Sequence, residues 1–331
     1  MMFPNTSYSL ASLPSSPLNP AEKCLARFRT ANHGILAVSS SHSTSVDNFH
    51  SQHPKLTENL DNIRPRKNRV FFLDANPISY AGTARSSKSF TYWLGLLLYE
   101  VANGDPIIAV FDGKGGNDHR RALLPSYKSH KRINPSMNPP THHPVFMTET
   151  LEKHNVPTVT VDGHEADDVV ATLTDKAVAK GYKVVIASPD KDFKQLISDD
   201  VQLVLPIGEL RRWSFYTKKH YVDQYKCHPE VDLSLRCIIG DEVDNVPGIQ
   251  SMVPGFGRKT ALKLVKKHGS IEKLLEEASV RTVAKQYAQD ALTKHADFLR
   301  RNYRVLALKR DVDVPFDDQW LIPRSLINGS I

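Results

Sequence analysis

The chain has few cysteines and no long hydrophobic run. Its 331 residues include three cysteines, Cys24, Cys227 and Cys237, with no CxxC pair and no matching histidine spacing. Neither a disulfide framework nor a structural zinc site is indicated, and a reducing compartment is favoured. The best apolar stretch, 93–101, is about half of the roughly 18 residues that a bilayer span needs, and it contains Glu100. A membrane protein is therefore not expected.

Acidic residues are almost absent from the N-terminal stretch. Residues 1–46 are rich in serine and carry three bases against one acid, Glu22. This composition is typical of an organelle transit peptide and lacks the apolar core of a secretory signal, although a plain disordered tail has the same composition. We expect residues 1–62 to be a disordered transit peptide and linker. That predicts a chloroplast or mitochondrial location, with the cytoplasm or nucleus as the alternative.

Beyond residue 62 the pattern alternates between strands and helices. Strands are predicted at 70–73, 107–111, 158–161, 183–187 and 201–205, and helices at 88–101, 145–154, 165–180 and 191–197. This order predicts an α/β core over 63–225, with a central, mainly parallel sheet flanked by helices. Residues 113–143 are too long for an ordinary connector and are expected to be functional or mobile. A helical lobe follows over 226–315, and 316–331 form a tail.

Acids follow three of the predicted strands, where ligands of open α/β sheets bind. Asp74 and Asp112 each follow a strand, and Asp190 and Asp192 follow a third. Two further groups of acids lie elsewhere in the chain. Glu165, Asp167 and Asp168 are in the first turn of a predicted helix, where the helix dipole alone also tolerates acids. Asp241 and Asp244 are in the segment GDEVDNVPG. If these nine carboxylates converge, their repulsion requires cations. Oxygen ligands select Mg²⁺ or Mn²⁺, and two such ions about 4 Å apart hydrolyse phosphodiesters.

Two basic segments are candidate nucleic-acid contacts. The first segment, 117–132, could equally be a solvated charged loop, but its place directly after Asp112 favours a lid over the acids. Its candidate nucleic-acid contacts are Arg120, Arg121, Tyr127, Lys128, Lys131 and Arg132. In the second, small residues precede a basic helix and would let a duplex backbone approach the helix N–H groups. Its candidates are Gly255, Gly257, Arg258, Lys259, Thr260 and Lys263.

These motifs together resemble a known family. LDA at Asp74, VFDGK at Asp112, LLPSYKSHKR, HEADD, SPDKD and GDEVDNVPG followed by GFGRKTA resemble the 5′ nuclease domain of bacterial DNA polymerase I and the phage flap endonucleases. The likeness covers residues 68–315 and extends to plant organellar 5′–3′ exonuclease-type proteins. It implies a PIN-like 5′ nuclease fold with a helical arch at 113–143, and a metal-dependent 5′–3′ exonuclease and flap endonuclease that acts on DNA as a monomer.

The resemblance also assigns roles to residues. It places one Mg²⁺ among Asp112, Glu165, Asp167, Asp168 and Asp190 and a second among Asp192, Asp241 and Asp244, with Asp74 in support and Mn²⁺ as a substitute. It puts Lys128 and Arg120 on the arch, where they steer the scissile phosphate. The turn at 255–260 becomes a helix–three-turn–helix element that grips duplex DNA and often holds K⁺. Two departures stand out: Ala81 replaces a base after Tyr80, with Arg85 as its substitute, and GIQSMVP at 248–254 is longer than the family's turn.

Other functions remain open at this point. The DNA nuclease itself could also act on RNA in RNA–DNA hybrids. A PIN-type ribonuclease would use the same chemistry on RNA, but such domains are shorter and usually lack the helical lobe with the glycine turn. A non-catalytic module that recognises branched DNA would be favoured by missing acids, and none is missing. A phosphatase is disfavoured because Ala75 and Asn76 follow Asp74 without the second acid of a DxD pair.

Overall fold

The computed structural model describes residues 68–81, 84–129 and 144–324. Several predictions fall outside these residues: the transit peptide, the candidate contacts Lys131 and Arg132, and the end of the tail. Within the described ranges, no helix has both the length and the apolar character that crossing a membrane requires.

The strands form one main sheet and a short hairpin. They are β1 Arg69–Asp74, β2 Tyr80–Ala81, β3 Ala84–Arg85, β4 Ile107–Phe111, β5 Thr158–Thr160, β6 Lys183–Ala187, β7 Val201–Ile207 and β8 Arg212–Tyr216. The main sheet has the order β5-β4-β1-β6-β7-β8, and its pairs are parallel except β7 with β8. The predicted mainly parallel α/β sheet is confirmed.

The sequence analysis missed the antiparallel edge strand β8 and the β2–β3 hairpin. In β8 the buried side chains are Trp213 and Tyr216, which are three residues apart and so do not show the alternation that identifies a strand. The 113–143 segment, where the resemblance implies a helical arch, contains a helix at Asp118–Leu123 that the apolar pattern alone did not predict. This helix is too short to produce a recognisable apolar period.

Helices cover both faces of the sheet and form the C-terminal lobe. They are α1 Ser87–Leu96, which continues as a π-helix over Leu97–Ala102, α2 Asp118–Leu123, α3 Val145–Lys153, α4 Ala166–Ala179, α5 Lys218–Tyr225, α6 Asp232–Ile239, α7 Arg258–His268, α8 Ile271–Val280, α9 Gln286–Lys294 and α10 Ala296–Leu306. The expected helical lobe is therefore present.

Burial on both faces explains why the central strands are apolar along their whole length. Phe72 of β1 belongs to the core shared with α4 and the C-terminal lobe, whereas Phe71 belongs to the core shared with α1 and α3. Both side chains are fully buried. Because β1 lies between β4 and β6 with Leu73 in register with Ala109 and Ala187, the carboxyl ends of these three strands meet at one edge.

A closed loop brings the second acidic group to the same region. The backbone N–H of Asp241 donates to Val246 O at 2.7 Å, and the N–H of Val246 donates back at 2.8 Å. At the loop entrance, Gly240 has φ +76°, and a Cβ there would lie 2.3 Å from Gly248 N, so only glycine fits. Asn302 of α10, fully buried, donates to Cys237 O at 3.0 Å and Pro247 O at 2.8 Å. The loop carrying Asp241 and Asp244 is thus fixed against the lobe.

Candidate functional site

The acids at the strand ends form one connected group. Asp74 accepts a hydrogen bond from Ser188 Oγ at 2.8 Å, and the same Oγ accepts from the N–H of Asp190 at 3.0 Å. Asp112 accepts from Asn76 Nδ2 at 2.6 Å. Burial, together with the charges of Asp112 and Asp190, raises the pKa of Asp74 well above its ordinary value. The predicted meeting of these acids is therefore observed.

The N-terminus of α4 lies at this strand-end group. Asp112 Oδ1 accepts from the N–H of Ala166 at 2.8 Å, which fixes the start of the helix beside β4. Burial and the charge of Glu165 raise the pKa of Asp167 well above its ordinary value. An acid at a helix N-terminus is usually stabilised there. The raised pKa shows that burial, with the nearby charge of Glu165, outweighs this stabilisation.

A second group consists of three buried acids. Carboxylate oxygens of Asp192, Asp241 and Asp244 all lie within 4.8 Å of one another. Asp190 Oδ1 accepts from the N–H of Asp192 at 2.9 Å and so caps the 3₁₀ helix Lys191–Leu196. Asp190 is also linked to Asp74 through Ser188 Oγ, so this cap connects the second group to the strand-end group.

Basic side chains neutralise part of the second group. Arg236 Nη2 donates to Asp192 at 2.6 Å and to Asp241 at 2.7 Å, and Lys191 Nζ donates to Asp241 at 2.5 Å. Burial raises the pKa of Asp192 to about 7 despite the contact with Arg236. For Asp241 burial acts in the same direction, but Arg236 and Lys191 outweigh it and hold its pKa at about 2.

Lys128 connects the two groups. Its Nζ donates to Glu165 Oε1 at 2.6 Å, and its backbone N–H donates to Asp244 O at 3.0 Å. Burial disfavours its charge, but Glu165 raises the pKa of Lys128 well above its ordinary value. The residue has φ +49°, a conformation that a lysine rarely adopts. Lys128 is therefore held in the acidic cleft, as its predicted role requires.

Arg120 and Asp168 depart from their predicted roles. The guanidinium of Arg120 is 1% exposed and donates to Glu165, to both carboxylate oxygens of Asp168, and to Val305 O at 3.0 Å. Asp168 also accepts from the N–H of Lys309 at 2.8 Å. In this conformation the Arg120 guanidinium is not available to a phosphate, and both carboxylate oxygens of Asp168 are bound to Arg120. The two residues instead form a buried ion pair that joins α2, α4 and α10.

Tyr127 likewise differs from expectation. Its ring is 2% exposed, so it cannot stack on a base, and its hydroxyl donates to Glu165 at 3.1 Å. The apolar cluster that contains Tyr127 also includes Leu124 and Val305. Tyr127 therefore positions Glu165 from the core. Arg121, on α2, is half-buried and remains a candidate DNA contact.

The glycine turn presents a basic helix to solvent. Gly255 has φ +90°, Gly257 caps α7, and the exposed residues Arg258, Lys259 and Lys263 lie on that helix. Thr260 Oγ1 lies 3.2 Å from Tyr287 OH.

The longer 248–254 segment forms a compact turn ahead of α7. It folds as the 3₁₀ turn Ile249–Ser251, and Ile249 is buried in the same core as Phe256. The extra residues are therefore anchored to the core and leave α7 exposed. At the other departure, Arg85 Nε donates to Tyr80 OH at 3.3 Å, so Arg85 lies beside the position where the expected base is missing.

Sequence reasoning missed four polar residues of the site. Asn76, Ser188 and Lys191 are each within two residues of a predicted acid, and this spacing was the available signal. Arg236 lies five residues before Asp241 on α6, and nothing in its local sequence indicates that it reaches the acids.

The donor set fits hard divalent cations. The cleft collects carboxylates from the ends of β1, β4 and β6, from α4 and from the 241–246 loop, and burial together with neighbouring acids raises the pKa of Asp74 and Asp167. Oxygen ligands of this kind bind Mg²⁺ or Mn²⁺. Among the described residues, Asp192, Asp241 and Asp244 are close enough together to hold one such ion.

Comparison with known proteins agrees with this geometry. Residues 68–226 match the 5′–3′ exonuclease N-terminal resolvase-like domain, and residues 227–325 match the 5′–3′ exonuclease C-terminal SAM fold. The chain belongs to the 5′–3′ exonuclease family. Members of this family hydrolyse phosphodiester bonds, and family membership supports a structure-selective nuclease.

Two relatives show how much of the length of a known family member this chain covers. It is 29% identical over 216 residues to the 5′–3′ exonuclease of Aquifex aeolicus, covering 65% of this chain and 68% of that protein. It is 30% identical over 263 residues to the thermostable DNA polymerase I of Thermus aquaticus, covering 76% of this chain and 30% of the polymerase. The chain thus spans less than a third of that polymerase.

Solved structures support the fold. The T5 D15 protein co-crystallised with metal ions has a TM-score of 0.58 at 22% identity, covering 73% of this chain and 90% of that one. T5 5′-exonuclease with bound divalent metal ions (zinc) has a TM-score of 0.57 at 21% identity, with the same coverage. This 5′–3′ exonuclease family chain therefore has the expected fold.

Proposed function

We propose that the chain is a metal-dependent, structure-selective DNA nuclease with 5′–3′ exonuclease and flap endonuclease activity. The observation that carries the proposal is the convergence of carboxylates from three strand ends, a helix N-terminus and a closed loop. Relatives named 5′–3′ exonuclease and DNA polymerase I, and a T5 flap endonuclease in a complex with DNA and metal ions, support the substrate class.

The proposed mechanism uses two divalent ions, Mg²⁺ or Mn²⁺, which when bound lower the pKa of the attacking water and stabilise the leaving oxygen. Asp112, Glu165, Asp167 and Asp190 would hold the first. Asp192, Asp241 and Asp244 would hold the second. Ser188 and Asn76 orient the acids by donating to Asp74 and Asp112, and this positioning limits the reorganisation that the reaction requires.

Lys128 is the proposed phosphate contact in the cleft. In the described structure its ammonium pairs with Glu165. If Glu165 held a divalent ion, the ammonium of Lys128 would be released from this pair and would be placed beside the acids to contact the scissile phosphate. The exposed face of α7, with Arg258, Lys259 and Lys263, would bind duplex phosphates through its basic side chains.

Several finer features belong to the same proposal. The basic, acid-poor N-terminal stretch supports import into a chloroplast or mitochondrion and a role in organellar DNA replication and repair. Backbone carbonyls of the 255–260 turn would bind K⁺, and RNA–DNA hybrids would be cut as well as DNA. The chain would act as a monomer, because one copy carries all the acids.

Cleavage of a 5′-labelled flap duplex by the full chain tests the proposal. We expect cleavage with Mg²⁺ and none with EDTA or in the Asp190→Ala, Asp192→Ala double variant. The matched control is Asp311→Ala, Asp313→Ala, which has the same spacing but exposed side chains and should cut normally. Undiminished cutting by the first double variant would refute the assigned roles. Tight flap binding without cleavage in Mg²⁺ or Mn²⁺ would select a recognition module, and preferential cutting of an all-RNA flap would select a PIN-type ribonuclease.

A further inference from the structure

A basic side chain lies inside the second acidic group. Arg236 is on the last turn of α6 and is 7% exposed. One of its nitrogens, Nη2, bridges Asp192 Oδ1 and Asp241 Oδ2 at 2.6 and 2.7 Å. These carboxylates are two of the three whose oxygens lie within 4.8 Å of one another. The arginine therefore occupies the space between two of the proposed ligands of the second ion.

Few hydrogen bonds hold the Arg236 guanidinium against these acids. Within the part of the chain that the structure describes, its Nε and Nη1 are buried without a hydrogen-bond partner. The guanidinium is thus engaged through Nη2 alone, and leaving the acids would break no other hydrogen bond of the group. Asp241 would keep a cation when this happens, because Lys191 donates to its other oxygen.

A guanidinium and a divalent ion compete for the same position. Mg²⁺ requires carboxylate oxygens at about 2.0–2.1 Å in near-ideal octahedral geometry, and a positive nitrogen between the same two carboxylates both fills the space and repels the ion. Conversely, without any cation the buried carboxylates would repel each other at high cost. The protein therefore needs one cation or the other at this position.

We propose that Arg236 is a built-in counter-ion for the second metal position. It holds Asp192 and Asp241 together in the ion-free protein and must leave them before a divalent ion binds. This rests on the proposed function, because it takes Asp192, Asp241 and Asp244 as ligands. Arg236 is then a positioning residue. It makes the second ion bind more weakly than the first, because only the molecules in which the arginine has left the acids can bind that ion.

Calorimetric titration of Mn²⁺ into the EDTA-stripped full chain, without DNA, tests this inference. In Arg236→Met we expect the weaker ion to bind about tenfold more tightly than in the unmodified chain. We also expect the ion-free variant to melt at a lower temperature and to regain the difference when Mn²⁺ is added. The matched control, Arg300→Met, removes an exposed arginine of α10 and should change neither quantity.

Unchanged or weaker Mn²⁺ binding in Arg236→Met would overturn the inference, because a merely supporting arginine would lower affinity when removed. If that variant does not fold without ions, Lys191→Met provides a second test. Its side chain is 26% exposed and pairs with the same Asp241, and a smaller tightening is expected there; no tightening would count against the inference. Failure of the proposed function would look different: the unmodified chain would then not cleave the 5′-labelled flap duplex in Mn²⁺, whatever Arg236→Met does to Mn²⁺ binding.

Discussion

Replacement of Arg120 by methionine should destabilise the protein strongly. The guanidinium of Arg120 is 1% exposed, pairs with Glu165 and Asp168 at 2.6 Å each, and also donates to backbone oxygens of Val305 and Ala307. Methionine fills a similar volume and leaves Glu165 in contact with Lys128 and Tyr127. It removes the positive charge that pairs with Asp168, which among the described residues then keeps only the N–H of Lys309. Breaking a buried ion pair in this way costs about 3–5 kcal/mol.

Urea denaturation of the ion-free full chain, followed by circular dichroism, measures this loss. In a thermal melt followed by the same signal, the melting temperature should fall by about 6–20 °C, because each kcal/mol lost lowers it by about 2–4 °C in a domain of this size. The control is Arg304→Met, an exposed arginine of α10, which should change the free energy of unfolding by about 0.5 kcal/mol or less. If Arg120→Met lost less than about 1 kcal/mol while DNA binding fell sharply, Arg120 would be a phosphate contact and the structural role would be wrong.

Three further predictions concern the cleft and the basic helix. Saturating Mg²⁺ should raise the free energy of unfolding by about 2.7 kcal/mol at 100 times its dissociation constant, and melting curves in Mg²⁺ and in EDTA that coincide would contradict a metal centre. Lys128→Ala should lower kcat for flap cleavage by about 10²-fold with little change in KM, as expected for a contact that matters most in the transition state; an effect on KM alone would contradict this. Lys259→Ala with Lys263→Ala should weaken duplex binding and reduce the slope of log K against log salt by about 2, whereas Lys273→Ala with Lys285→Ala, on exposed sites outside α7, should leave it unchanged.

The fold was largely predictable because hydrophobic pattern and strand-end acids are local signals. The parallel strands are apolar along their length since both faces are buried; Asp74 ends β1, Asp112 directly follows β4, and Asp190 lies three residues after β6. Tertiary contacts were not predictable in the same way. Arg120 and Tyr127 looked like surface residues in a basic segment, yet contacts with Asp168 and Val305, distant in sequence, bury them.

Arg236 shows a second limit of sequence reasoning. Its side chain reaches Asp192, 44 positions away, only because α6 ends beside the closed loop carrying Asp241. A single arginine in an amphipathic helix carries no sign of such a partner. Residues next to predicted acids, such as Ser188 and Lys191, could have been identified, because their placement follows from that of their neighbours.

The most direct test of the central claim is the anomalous scattering of Mn²⁺ in crystals of the full chain. Two peaks about 4 Å apart are expected, one against Asp112 and Asp190 and the other against Asp241 and Asp244. The absence of any Mn²⁺ peak among these carboxylates, in crystals that show Mn²⁺ elsewhere, would contradict the claim that the converging acids form a metal centre.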